Sequence, residues 1–285
     1  MLTSLLTAHN LFLFRVFDVE HGFCALFVSP SGASLLIDCG HNAASGFRPS
    51  DELTNVYGFD SSVNRITGLA VANFDEDHLS DVSQTIASVN PRIIYRNPSV
   101  PLEHVIAIKR ETGAGPAVRA CTIALARTYT APAPVVDWGG AALQFYWVNY
   151  PWATDTNNLS LVTFLKFGTA GILVPGDLER PGWQRLLLRD DFKEALRGTN
   201  VLVASHHGRE SGLEQEIFNY CTPEIVIVSD KHVEYETQRT DYGRYATGVW
   251  FSDSRVRKAV STRNNGDITI VGPLWGVSSI FISKL

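Results

Sequence analysis

The chain has 285 residues, 45% of them hydrophobic, which suits a well-cored globular protein and excludes a disordered one. Its 29 acidic and 24 basic residues leave a net charge of -5, so no global positive field draws in nucleic acid nonspecifically. Four cysteines, Cys24, Cys39, Cys121 and Cys221, show no C-x-x-C spacing, which excludes a zinc knuckle and a disulfide framework.

The opening "MLTSLLTAHNLFLFRVF" is apolar, but His9, Asn10 and Arg15 interrupt it well short of a membrane span, and it lacks the basic start and cleavage site of a secretion signal. It reads as a lead-in to a first strand, and a reducing cytoplasm is the expected location. Short β-rich runs follow, "LFLFRVFDV", "FCALFVS" and "ASLLIDCG", the last two joined by the turn "PSG". After a polar stretch from Asn42 to Asn64, "ITGLAVAN" predicts a buried strand that ends at "ANFDEDHLSD", and "LSDVSQTIASV" has helical spacing. "PRIIYRN" predicts a strand, and residues 101 to 129 a helical pattern broken by "TGAGP".

A second β-series comprises "LQFYWV", "LSLVTFLKF" and "GILVPGD", with the turn "GTA" between the last two. A helix near "LERPGWQRLLLRD" leads to the strand "NVLVAS" and then "HHG". Further elements are a helix from about Ser211 to Tyr220, the strand "EIVIVSD", a helix near residues 253 to 261, and strands at "DITIVG" and "VSSIFIS". Two β-series interleaved with helices, without an obvious linker, predict two packed sheets flanked by helices in a single domain spanning residues 1–285.

Three of these segments share one grammar: an apolar strand whose C-terminal end delivers a metal-type ligand. They are "GLAVANFDEDH", "GILVPGD" ending at Asp177, and "NVLVASHH" ending at His206 and His207. Taken alone, "DEDH" reads as a helix N-terminus, where acidic residues complement the dipole, and "GD" as a turn. "HHG" fits a ligand or a structural element equally. Together, in this order, they favour a metal centre, because strand ends are rigid anchors for ligands.

These segments resemble the metallo-β-lactamase superfamily, and within it the soluble hydrolase domain of ComEC-type competence proteins and its freestanding relatives. "FDVEHGFCALFVSPSGASLLIDCG" is similar to that family's D-V-G-Q-G-D opening and L-I-D-x-G strand, and "NFDEDHLSD" to its H-x-D-x-D-H. "NNLSLVTFLKFGTAGILVPGDLE" is similar to its N-N-x-S-L-V and G-D, "ASHHGRESG" to its H-H-G-S, and "STRNNGDITI" to its closing T-x-x-x-G-x-I.

The resemblance implies an α/β (α+β) protein with the four-layer αββα sandwich of that superfamily, holding one or two divalent ions, zinc or manganese first and magnesium as a further option. Asp77 and His78 would bind one ion with a histidine of the His206/His207 pair, and Asp177 would bridge. Asn73 and Asp75 would face the other ion, aided by Asn157 or Asn158. Asp38 matches an aspartate that is mainly structural. Asp77, Asp177 and His207 are the expected catalytic residues, and Arg209 and Arg263 are candidate phosphate contacts.

Departures also stand out. Asn73 replaces the family's leading histidine, Phe23 the aspartate of the opening motif, Ser80 and Asp81 small glycines, and Arg209 the serine after H-H-G. Only the Asn73 change alters an expected ligand, leaving the number of ions open.

The expected activity is metal-dependent hydrolysis of DNA, a nucleotide or another phosphodiester through a metal-bound hydroxide. The alternative is a binding or regulatory subunit of the same fold whose metal site is partly degraded. Hydrolysis of a small ester, lactone or amide is a third reading with no dedicated sequence feature. Tyr235, Tyr242, Tyr245, Trp250 and Phe251, beside Arg239 and Arg244, read either as a base-stacking rim or as packing. No protein partner is legible, and no membrane association is expected.

Overall fold

The computed structural model describes residues 6, 8–109, 113–131, 134–231, 239–251, 254–273 and 279–282. Its first half runs β1 (Leu11–Val16), β2 (Ala25–Val28), β3 (Ser34–Ile37), α1 (Pro49–Asn55), β4 (Gly68–Ala70), α2 (Glu76–Leu79), α3 (Val82–Val89), β5 (Ile93–Tyr95), α4 (Leu102–Ile108) and α5 (Pro116–Arg127). The second half runs β6 (Ala141–Tyr146), β7 (Val162–Phe167), β8 (Ala170–Val174), α6 (Arg180–Leu186), α7 (Asp190–Arg197), β9 (Val201–Val203) and β10 (Ile225–Val228). It closes with α8 (Arg239–Arg244), β11 (Val249–Trp250), β12 (Val256–Arg257), β13 (Ala259–Ser261), α9 (Thr262–Asn265), β14 (Ile268–Pro273) and β15 (Ser279–Ile282).

Seven strands form one sheet in the order β15-β14-β1-β2-β3-β4-β5, and six form another in the order β13-β10-β9-β8-β7-β6. Each sheet joins an antiparallel part to a parallel part. In the first, β1, β2 and β3 pair antiparallel, while β3, β4 and β5 run parallel. In the second, β6, β7 and β8 are antiparallel, while β8, β9, β10 and β13 run parallel. Parallel neighbours need crossover connections, and these place the loops after β4, β8 and β9 at the carboxyl ends of their strands, where ligands bind in such sheets.

Side-chain alternation sets the layers. Phe12, Phe14, Phe27, Leu35 and Ile37 of the first sheet share one core with Phe167, Ile172, Val174, Val203 and Ile227 of the second. The rings of Phe12 and Phe167 meet edge-on across it at 5.4 Å. The opposite faces of the sheets, with Leu36, Leu69, Leu173 and Leu202, belong to a second core with the helix residues Val89, Val118, Cys121, Trp183, Phe192 and Leu196. The layers are therefore helix, sheet, sheet, helix, the expected αββα sandwich.

Three expectations need correction. The expected helix near residues 253 to 261 is instead β12 and β13 where described, because Val256 pairs with Trp250, and Ala259 to Ser261 complete the parallel ladder beside β10. The segment from Ser211 to Tyr220 makes 3-10 turns over Glu210–Gly212 and Gln215–Asn219 rather than an α-helix. The polar stretch from Asn42 to Asn64 contains α1, opened by Pro49, with the buried carboxylate of Asp81 accepting from Ser50 N at 2.9 Å. All four cysteines are buried and free. Among the described residues no helix is long and apolar enough to cross a membrane.

Candidate metal centre

Three strand ends meet at one edge of the sandwich. Beyond β4 the chain reaches Asp75, whose backbone is extended, and α2 then carries Asp77 and His78. After β8, Gly176 takes φ +63° and turns Asp177 inward. After β9, both His206 (φ 49°) and His207 (φ 55°) are left-handed. For residues other than glycine such conformations cost on the order of 1–3 kcal/mol each and persist where surrounding structure imposes them. The consequence is that the neighbouring imidazoles diverge, their planes 61° apart.

Asp77, His78, Asp177 and His207 each bring one ligand-type atom into a group spanning no more than 4.8 Å. His78 Nε2 lies 3.0 Å from Asp177 Oδ2, and His207 Nε2 lies 3.3 Å from Asp77 Oδ2 and 3.5 Å from Asp177 Oδ1. Despite this proximity neither Nε2 has a partner in hydrogen-bond geometry, and both are buried. Their Nδ1 atoms are engaged on the other side: His78 with Asp38 Oδ2 at 2.6 Å, and His207 with the Ser229 carbonyl at 3.1 Å. An imidazole that donates through Nδ1 presents a lone pair at Nε2. Two such lone pairs and two carboxylates are a donor set for one divalent ion.

Local sequence explains how this arrangement is held. Asp38, fully buried and left-handed at φ 56°, also accepts from Ala72 N at 2.7 Å, tying the ends of β3 and β4 together. Glu76 is no ligand; its carboxylate accepts from Ala117 N and Val118 N and caps α5. Gly22 and Gly40 make room for the metal-motif backbone, since a Cβ on either would lie 2.2 Å from the Asp77 carbonyl. Gly40→Ala is expected to cost about 1–3 kcal/mol by overpacking and to weaken metal binding by shifting Asp77. Thermal melting and metal titration of the variant check both effects; an unchanged protein contradicts them.

Burial alone would lower the His78 pKa, but Asp177, then Asp38 and Asp77, outweigh it and hold the imidazole well above 6.5. Burial pushes Asp77 and Asp177 up, yet His78 and His207 pull both below the usual carboxylate range. For Asp38 burial prevails and the pKa rises. The raised His78 pKa stabilises the metal-free fold at low pH, and that contribution is lost as pH rises through it. An entering ion must displace the same proton. Metal affinity is therefore expected to increase with pH through neutrality, with about one proton released per ion. Calorimetry in buffers of differing ionisation enthalpy measures this, and affinity constant from about pH 6 to 8 contradicts it.

The other expected ligands lie around this group without joining it. His206 points elsewhere: its Nδ1 is 2.9 Å from Ser211 Oγ and 3.1 Å from Glu179 Oε1, and its Nε2 is 3.2 Å from Arg209 Nη1. Asn73 presents its amide nitrogen to Asp177 Oδ2 and Asn157 Oδ1, both at 3.1 Å. Asp75 is held by Lys109 Nζ through Oδ1 and by Thr156 Oγ1 at 2.8 Å through Oδ2. Asn158 is turned away, bonded to Asp155 and accepting from Gly182 N at 2.8 Å. Arg263 is paired with Asp230 at 3.1 Å rather than directed at the cluster.

Two residues near the site were not among the sequence candidates. His21 Nε2 lies 3.4 Å from Asp77 Oδ2, with its ring 5.2 Å from that of His207. Lys109 follows α4 and reaches Asp75. His21 stands in the opening motif "FDVEHGF", which offered a signal, whereas nothing in the helical segment around Lys109 distinguishes it. Asp77, Asp177, His21, Lys109, His206 and Arg209 all line a cleft of about 940 Å³.

The tail aromatics mostly pack. Tyr242 is buried with its hydroxyl on the Gly212 carbonyl, Tyr245 stacks on Phe218 at 3.9 Å, and Phe251 is buried, whereas Trp250 is 73% exposed. Tyr235 lies outside the described residues.

No protein-family profile and no curated protein matches the chain. Among solved structures it is similar to a putative metal-dependent hydrolase from Parabacteroides distasonis, at 8% identity over 86% of this chain and 91% of that one, with a TM-score of 0.42. It is also similar to CmlA, a diiron β-hydroxylase from Streptomyces venezuelae, at 13% identity over 76% of this chain and TM-score 0.44; the match spans 44% of that protein's length. The Rm3 metallo-β-lactamase matches at 14% identity over 86% of both chains, with a TM-score of 0.37.

Proposed function

We propose that the chain is a metal-dependent hydrolase that cleaves phosphodiesters. The observation that carries the reading is the convergence of the buried Nε2 atoms of His78 and His207, whose Nδ1 atoms are engaged elsewhere, on the carboxylates of Asp77 and Asp177. A bound divalent ion supplies an activated water and screens negative charge on the scissile group. Asp77, His78, Asp177 and His207 would hold it, while Asp38 and the Ser229 carbonyl keep the imidazoles in the ligating tautomer. His21, which lines the cleft with its Nε2 3.4 Å from Asp77 Oδ2, is suited to proton transfer.

The phosphodiester class is supported by Arg209, a cationic residue lining the cleft, and by the sequence likeness to ComEC-type hydrolase domains, which puts DNA first among polymers to test. The mixed carboxylate and imidazole set suits zinc or manganese. A second reading, a binding or regulatory subunit, is favoured by one specific observation: Asn73 donates to Asp177 where the resemblance expects an imidazole ligand.

Metal-stripped protein reloaded with zinc or manganese should be assayed against bis(p-nitrophenyl) phosphate, single- and double-stranded DNA, p-nitrophenyl acetate and a β-lactam. Metal-dependent phosphodiester turnover supports the proposal, and turnover of the ester or lactam alone reassigns the substrate. A bound ion with background rates on all substrates favours the binding subunit, and absence of a bound ion removes the hydrolase reading.

A further inference from the structure

We infer that Lys109 occupies, as a fixed ammonium, the place of a second cation, so that the centre is built for one ion. This rests on the metal site proposed above.

The resemblance expects a second ion between Asn73, Asp75 and the bridging Asp177. The oxygens that would face it already have hydrogen donors. Asp75 Oδ1 takes Lys109 Nζ, while Asp75 Oδ2 takes Thr156 Oγ1 at 2.8 Å and Asn73 Nδ2 at 3.4 Å. Asp177 Oδ2 takes Asn73 Nδ2 at 3.1 Å. The orientation of the Asn73 amide follows from this acceptor-rich surrounding: its NH2 faces three side-chain oxygens, and its Oδ1 is buried without a partner. A cation at that position would demand the reverse orientation, with Oδ1 turned toward it.

Charge makes the same distinction. Lys109 is 8% exposed, and its charge is directed at Asp75. A divalent ion sharing Asp75 would meet an ammonium at close range, with little solvent to screen the repulsion. Lys109 lacks the hydrogen-bonding fork of an arginine and acts as a compact point charge, so it can neutralise Asp75 as an ion would. Asn73 and Lys109 then form one substitution in two parts: the imidazole ligand is absent, and an ammonium supplies the charge that its ion would have carried. Asn73, standing where the resemblance expects a histidine, does not by itself make a decayed site, because the Lys109 ammonium supplies a cation beside Asp75.

The test is metal stoichiometry. Chelator-stripped protein is titrated with Mn2+ and, separately, Zn2+, with bound metal measured by elemental analysis and calorimetry. Wild type and Asn73→His are both expected to bind one ion per chain, and the double variant Asn73→His/Lys109→Ala two. Two ions in wild type, or in Asn73→His with Lys109 intact, would overturn the proposal. So would a folded double variant that fills its first site and stops at one ion. If the double variant fails to fold, the Asn73→His result alone still decides. Wild type that binds no ion removes the underlying metal-hydrolase reading as well, a failure distinct from binding two.

Discussion

Asp177→Ala is expected to lower divalent-metal affinity by more than about 100-fold, because even a partner that only orients a ligand is worth about 10–100-fold, and to bring metal-dependent hydrolysis to background. Asp177 is the carboxylate nearer to His78, 3.0 Å from its Nε2, and lies 3.5 Å from His207 Nε2. Without it, the remaining carboxylate, Asp77, lies 4.0 Å from His78 Nε2. The metal-free protein is affected too. The Asp177 pKa is depressed, so its ion pair stabilises the fold above the unfolded carboxylate value of about 4 and fades as pH falls. The variant should therefore melt lower at neutral pH and differ less from wild type in acid. Calorimetry of metal binding and thermal melts at two pH values measure both effects; retained affinity contradicts the role given to Asp177.

Asp38→Ala should damage fold and site together. Its carboxylate is fully buried and bridges the His78 Nδ1 at 2.6 Å and the Ala72 amide at 2.7 Å. Removing one member of a buried, hydrogen-bonded charged pair costs about 3–5 kcal/mol, and freeing the ligand's orientation costs a further factor of about 10–100 in metal affinity. Asp38→Asn separates the two contributions. It keeps the shape and one acceptor but cannot supply the charge, so it should retain more stability than alanine while still binding metal weakly. Denaturant unfolding of the metal-free variants alongside metal titration distinguishes them, and an Asp38→Ala protein as stable as wild type contradicts the account.

Most strands were legible in chain order because apolar runs such as "ASLLIDCG" and "GILVPGD" are buried on both faces and end abruptly in turn residues. Asp77, His78 and Asp177 were legible for the same reason: each stands where such a run gives way to polar residues, and the αββα layering brings those ends together. The choice between His206 and His207 was not legible. It depends on two consecutive left-handed residues and on the Ser229 carbonyl, which lies on a strand end 22 positions away. The resemblance implied Asp75 and Asn73 as ligands, but their partners, Lys109 and Asp177, are set by tertiary packing between segments without a shared motif. Helix α1 was hidden in a polar stretch because its burial rests on few side chains, among them Pro49, Ser50 and Leu53, although a proline in the first turn was a usable start signal. At β12 and β13, pairing with neighbouring strands decided the outcome over local helical spacing.

Anomalous diffraction from crystals of the protein loaded with zinc locates the ion itself. One peak per chain is expected, enclosed by Asp77, His78, Asp177 and His207, with imidazole Nε2 atoms at about 2.0–2.1 Å from the ion. A peak bound by His206 or Asp75 instead, or no peak within coordination distance of His78 and His207, would contradict it.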